Sequence, residues 1–188
     1  MKKRALLYTL SALILVGCSA KSNFYQLTPT QSKHPKSYIK KDKIIAIAPI
    51  EIADYIDKPQ IITRIDNEQL SLHELDRWAG AIDKNIQSVI RYDLMHKLPR
   101  YTILTKPLPE PIDHKYTLYI HIDRFDGDIN GSVVLDGRWS LIDENEDRFI
   151  KGKNIHYKTQ ANNTLPSIIS TQSKLLDRLA SDIAREVR

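Results

Sequence analysis

Apolar positions recur along this chain with three different spacings. From Ala5 to Ile14 they run almost without a break. In two later stretches they return at intervals that keep them on one helical face. Ile82, Ile86, Val89, Ile90, Leu94 and Leu98 form the first series, over Ala81 to Leu98. Ile168, Ile169, Leu175, Leu176, Leu179, Ile183 and Val187 form the second. Each series predicts a helix with one apolar stripe. Pro99 stops the first helix, because proline disfavours helical geometry in the residue before it. Thr164 can cap the second, with Pro166 tolerated in its first turn. Elsewhere the spacing is two. Tyr116, Leu118, Ile120 and Ile122 share one strand face, and beyond the hairpin signal Asn130-Gly131 so do Val133, Leu135, Trp139 and Leu141. The polar turn Asp143 to Asp147 then leads into a third strand, Arg148 to Lys158, and the three predict a meander. Shorter strands are expected at Ile44–Ile50, with Pro49 at its end or at an edge, and at Tyr101–Leu104. Gln60–Arg64 and the alternating residues around Leu70 and Leu72, joined through Asp66-Asn67, predict a hairpin. These elements imply an α+β fold: a mostly antiparallel sheet with two amphipathic helices packed on one face.

The continuous run belongs to a different kind of segment. It is shorter than the about 20 apolar residues that span a bilayer. Met1-Lys2-Lys3-Arg4 precedes it and Leu15-Val16-Gly17-Cys18 closes it. A basic start, a short apolar run and small exit residues predict a signal peptide over residues 1–17. Leu-Val-Gly-Cys also resembles the lipobox of bacterial lipoproteins, which implies cleavage before Cys18, a diacylglycerol on its thiol and an acyl chain on its new amine. Ser19 follows, where enterobacterial lipoproteins kept in the inner membrane carry aspartate, so the resemblance implies the outer membrane. Cys18 is the chain's single cysteine, so no disulfide is available to the remainder.

Removal of the first 17 residues from 188 leaves 171, enough for one domain with a core. Residues 18–42 are rich in Ser, Lys, Thr, Gln and Pro and read as a lipidated N-terminus and tether, with a span of about 25–30 Å if flexible. Phe24-Tyr25-Gln26-Leu27 interrupts it and is expected as a short strand or an apolar clip docked on the domain. Residues 43–188 form the expected globular domain, facing the periplasm. The formal charge of +5 falls to about +2 once Lys2, Lys3 and Arg4 leave with the leader. That excess is too small and scattered for a nucleic-acid partner.

Candidate chemistry is sparse. There is no Gly-x-Gly-x-x-Gly, P-loop or Gly-x-Ser-x-Gly motif, and no His-x-x-x-His pair for zinc. His121 and Asp123 share a strand face and could form an acid–base pair, but a solvated, hydrogen-bonded sheet face accounts for them better. Asp126 and Asp128, around Gly127, read as turn residues. Trp78, with Asp76 and Arg77 paired beside it, reads first as a core anchor between the hairpin and the helix. Trp78, Arg77 and Arg64 are the candidate partner-binding residues. No catalysis, no metal and no cofactor beyond the covalent lipid on Cys18 is expected.

The lipobox, Phe24-Tyr25-Gln26-Leu27, Lys58-Pro59-Gln60-Ile61-Ile62-Thr63-Arg64, Asp76-Arg77-Trp78-Ala79 and the closing Leu175-Leu176-Asp177-Arg178-Leu179-Ala180 occur in an order that resembles the ABC-type transport auxiliary lipoproteins. The family often continues Asp-Arg-Trp-Ala with an acidic residue and proline, where this chain has Gly80 and Ala81. The resemblance implies a non-catalytic docking subunit anchored in the outer membrane. Its partners would be an MCE-domain protein and the inner-membrane permease of one intermembrane lipid transport system, and a homo-oligomer would suit a tunnel-forming partner. Three other readings stand beside it. They are direct lipid binding in an apolar groove between helix and sheet, an envelope hydrolase using His121 and Asp123, and a structural envelope lipoprotein unrelated to transport.

Overall fold

The computed structural model describes residues 21–31, 43–108, 112–128 and 130–187. Nine strands and two helices follow one another. β1 (Asn23–Tyr25), β2 (Ile44–Ile47), β3 (Glu51–Ile52), β4 (Gln60–Arg64) and β5 (Leu70–Trp78) precede α1 (Ile82–Lys97). β6 (Thr102–Thr105), β7 (Tyr116–Asp128), β8 (Ser132–Asp143) and β9 (Arg148–Gln160) come next, and α2 (Leu165–Val187) closes the chain.

β7 organises the sheet. Along one edge it pairs antiparallel with β8, which pairs antiparallel with β9. Its other edge takes three short strands in succession, all parallel: β2 at Tyr116–Leu118, β3 at His121–Ile122 and β4 at Gly127–Asp128. β6 lies parallel outside β2, and β5 folds back antiparallel outside β4. The meander and hairpin thus hold most of the paired residues antiparallel, as the alternation implies. The parallel pairings make the nine-stranded sheet mixed. β2 shows why: all four residues of Ile44–Ile47 are buried, and a continuous apolar run is what a parallel strand covered on both faces needs.

The alternation on β7 changes phase once. Leu118, Ile120 and Ile122 are buried, and after a register shift between Ile122 and Arg124 the buried large residue is Phe125. One extra residue in a strand does this, since the side-chain period is two. Val133, Leu135, Trp139 and Leu141 of β8 and Ile155 and Tyr157 of β9 continue the inner face. The buried stripes of α1 and α2 join them in one cluster that includes Ile86, Ile90, Leu94, Leu176, Leu179 and Ile183. Ala81, at the N-cap of α1, makes no side-chain capping bond. Thr164 does cap α2, its Oγ1 accepting from the Ser167 amide at 3.4 Å.

Residues 23–30 belong to the folded unit, so its boundary lies ahead of the expected residue 43. β1 pairs parallel with the end of β5. Asp76 accepts from Asn23 Nδ2 at 2.9 Å and from the Tyr25 hydroxyl at 3.2 Å, instead of pairing with Arg77. Leu27 is 2% exposed, and burial of such a side chain contributes about 1.5–3 kcal/mol. Its backbone is held at both groups by one side chain: the amide donates to Asn85 Oδ1 at 2.7 Å and the carbonyl accepts from Asn85 Nδ2 at 3.1 Å. Thr28 N donates to Ser173 Oγ at 3.2 Å and Thr30 Oγ1 to Asp177 at 2.8 Å. The expected strand-or-clip is both.

Beneath this clasp, Asp93 of α1 is fully buried and neither carboxylate oxygen has a well-formed hydrogen bond. Burial and then the Asp177 carboxylate push its carboxyl up to about 6, against Lys97 and the Thr30 backbone, which lower it. A carboxyl whose folded pKa is raised loses stability as pH climbs from its unfolded value through its folded one. Asp93→Asn should therefore gain about 2–3 kcal/mol over the wild type at pH 7. The gain should vanish below about pH 4, as read from melting curves at the two pH values. Gly137 faces the shifted part of β7, where a Cβ would stand 2.2 Å from the His121 carbonyl oxygen. Gly137→Ala should cost about 2 kcal/mol and lower Tm by about 4–8 °C in a thermal melt.

Candidate functional site

The candidate residues of the sequence fall in three different environments. Trp78 is the last residue of β5, and its backbone amide donates to the Pro59 carbonyl at 2.8 Å. Its side chain, 9% exposed, joins the core cluster. Trp78 is therefore an anchor inside the fold, placed within the strand where the spacing had put it between hairpin and helix.

Arg64, on β4, reaches across to β7. Its Nη2 lies 2.9 Å from Asp126 Oδ2 and its Nε lies 3.3 Å from both carboxylate oxygens, while Nη1 donates to the Asn67 carbonyl at 3.0 Å. Asp126 is 1% exposed and sits within the strand, so the turn expected there is not found. It also accepts from the Tyr55 hydroxyl at 2.8 Å and from Arg124 Nε at 3.0 Å. Burial, then the adjacent Asp126 carboxylate, pushes the Tyr55 hydroxyl up to about 12. The Arg64 guanidinium carbon stands 5.8 Å from the Tyr55 ring centroid. Two cations and a phenol on one buried carboxylate make a brace between β4 and β7. Removing one partner of such a pair leaves an uncompensated buried charge. Arg64 is accordingly committed to the fold. Nothing in the sequence marks Tyr55 or Asp126 as its partners, since they come from separate stretches 71 residues apart.

Arg77 differs from both. Its register partner is Phe24 on β1. Its Nε is buried without a hydrogen-bond partner, and it makes no ion pair with another described residue. Asp128, at the other end of the chain's candidate carboxylates, does act as a turn residue, its Oδ1 accepting from the Asn130 and Ser132 amides at 2.8 and 2.9 Å. Cys18 lies outside the described residues.

His121 is held from two sides. Nδ1 lies 2.9 Å from Glu51 Oε2 and Nε2 lies 2.9 Å from Asp123 Oδ1. A general base needs one ring nitrogen directed at the proton it takes, whereas here both nitrogens face carboxylates. Among the described residues no three His, Cys, Asp or Glu side chains are grouped as metal ligands would be. Nor is any described helix long and apolar enough to cross a membrane. Among the described residues the core cluster packs between helices and sheet. Space opens at the C-terminal end of α1, in a cavity of about 470 Å³ lined by Lys43, Lys97, Leu98, Pro99, Arg100 and Tyr101.

The arrangement has relatives. The chain is 22% identical to the intermembrane transport lipoprotein PqiC of Escherichia coli, over 97% of this chain and 96% of that one. Its fold is shared with the crystal structure of an uncharacterized protein at a TM-score of 0.75, with 17% identity and coverage of 90% of this chain and 100% of the other. It is also shared with XCC0632 from Xanthomonas campestris at 0.62, with 15% identity and coverage of 86% and 92%. Residues 25–184, from β1 almost to the end of α2, match the ABC-type transport auxiliary lipoprotein component, and the chain belongs to that family.

Proposed function

We propose that this chain is a lipid-anchored, non-catalytic accessory subunit that docks an MCE-type intermembrane lipid transport system onto the periplasmic side of the outer membrane. The observation that carries the reading is the lipobox at Cys18 in a member of a transport auxiliary lipoprotein family. Likeness to an intermembrane transport lipoprotein supports the transport system, and Ser19 supports the outer membrane. His121, with both ring nitrogens facing carboxylates, supports a role without catalysis.

The mechanism is attachment. A single acyl chain binds a bilayer marginally and reversibly, whereas two or more hold stably. Acylated Cys18 therefore keeps the domain at the membrane, where its effective concentration toward a partner rises without any new contact. The partners in this reading are an MCE-domain protein and the inner-membrane permease of the same system, and a homo-oligomeric ring of this chain would suit a tunnel between them. A second reading, direct binding of a phospholipid headgroup, is favoured by Lys43 and Arg100 at the cavity at the end of α1, where Lys97 is paired with Asp177 at 2.7 Å. Native mass spectrometry of the chain extracted in mild detergent reads it, and absence of retained phospholipid sinks it.

Mild crosslinking in envelope membranes followed by purification of this chain should recover an MCE-domain protein, and its repeated absence would defeat the docking reading. Cys18→Ala should abolish transport-linked function while the domain keeps its wild-type melting temperature. A Cys18→Ala protein that complements fully at native abundance would show the anchor to be dispensable.

A further inference from the structure

The docking of β1 changes how far the domain can stand from its anchor. Only five residue steps, with four residues between, separate Cys18 from Asn23, the first residue of β1. Fully extended, they span at most about 18 Å. β5, with nine residues, is about 30 Å long. If Cys18 carries lipid, as the proposed function requires, the β1 edge cannot leave the membrane by even the length of its neighbouring strand.

The side chains at that edge are those of an interface. Phe24 is 66% exposed although it lies in a strand. Leu75 and Leu72 on β5 are 45% and 47% exposed. Arg77, the register partner of Phe24, and Leu72 pair with Gln60 and Ile62 of β4, two residues apart and so on one face, and Leu75 lies in the irregular stretch of β5 between them. Arg77 adds a cation with no described partner, and exposed Lys21 adds another just ahead of β1. The exposed carboxylate in this region, Glu74, accepts from Gln60 Nε2 at 3.1 Å. Single exposed apolar residues are ordinary on protein surfaces, but a group of them on adjacent strands marks a contact surface. An aromatic ring with arginine beside it fits the headgroup layer of a bilayer, where rings lie at the interface and guanidinium pairs with phosphate.

We propose that the β1–β5 edge, with Phe24, Leu75 and Leu72 as its apolar members and Arg77 as its cation, rests on the phospholipid surface that holds the Cys18 acyl chains. The proposal rests on lipidation of Cys18 and adds to it an orientation. The molecule is seated on its first strand, with the opposite edge of the sheet, β9, directed into the periplasm.

The test uses the full mature chain purified from membranes and placed in vesicles of phosphatidylethanolamine and phosphatidylglycerol with brominated acyl chains. Phe24→Trp and Phe149→Trp put a reporter at either edge, Phe149 being an exposed residue of β9. Trp78 and Trp139, both buried, give a constant background read from the wild type. Bromine should quench Trp at 24 several-fold more than Trp at 149. Arg77→Gln should reduce that quenching in phosphatidylglycerol-containing vesicles and leave it unchanged in neutral ones. Equal quenching at the two positions, with Cys18 acylated in the intact mass spectrum, overturns the seating alone. An unacylated Cys18 overturns the anchor and the seating together. A photoreactive phenylalanine analogue at 24 should form lipid adducts, and adducts with a second copy or another protein would assign the edge to that partner instead.

Discussion

The rest of the structure depends on the hydrogen-bonding capacity of one strand. β7 has 13 residues and pairs along both edges, with a long antiparallel neighbour on one side and three short parallel neighbours on the other. An unpaired buried backbone group costs as much as a lost hydrogen bond, so β7 can sit at the centre only if every part of each edge finds a partner. The chain lays β2, β3 and β4 against it in sequence order, and between β3 and β4 the Phe125 amide donates to the Tyr55 hydroxyl and its carbonyl accepts from Gln172 Nε2. Each of these strands is too short to be stable alone, and each is placed by the residue of β7 it meets. The brace of Arg64, Tyr55 and Arg124 on Asp126 fastens the last of these contacts, where β4 has only two residues in register with β7.

Much of this was legible in the alternation of apolar positions, because one buried face imposes a period that survives without knowledge of the partners. The meander of β7, β8 and β9, the β4–β5 hairpin and both helices follow from it, and so does the turn at Asn130-Gly131, where Gly131 has φ +83°. The features that escaped depend on partners distant in sequence. Parallel pairing leaves no turn signal between the paired strands. The phase change at Asp123 looks like the end of a pattern, since a bulge is a property of two strands together. Asp126 next to Gly127 has the composition of a turn, and only Arg64, brought up by a different strand, reveals it as a buried acceptor. The docking of residues 23–30 was half visible. Leu27 announces an apolar contact, but nothing about Asn85 shows that its amide will stand in for a strand.

The candidate residues divide by the same logic. Trp78 and Arg64 are explained by the fold, as an anchor and a brace, and their presence in the family-like motifs needs no partner. Arg77 lies between them in sequence yet has no partner among the described residues. The β1–β5 pairing sets Arg77 beside Phe24, six residues after Cys18 in the sequence, so a lipid proposed at Cys18 and Arg77, which has no partner among the described residues, would be close along the chain and the sheet.

The clasp formed by residues 23–30 also sets a mechanical path. With Cys18 lipidated as proposed, tension between the membrane and the domain would enter at Asn23 and be borne first by a strand of three residues. Beyond it stand the two Asn85 hydrogen bonds and the buried Leu27, which pass the load to α1 instead of to the sheet. Peeling β1 would lengthen the leash by a few residues while the core stayed intact. The first strand can thus yield as a compliant joint in series with a stiff body, and distance from the membrane becomes something that force can adjust.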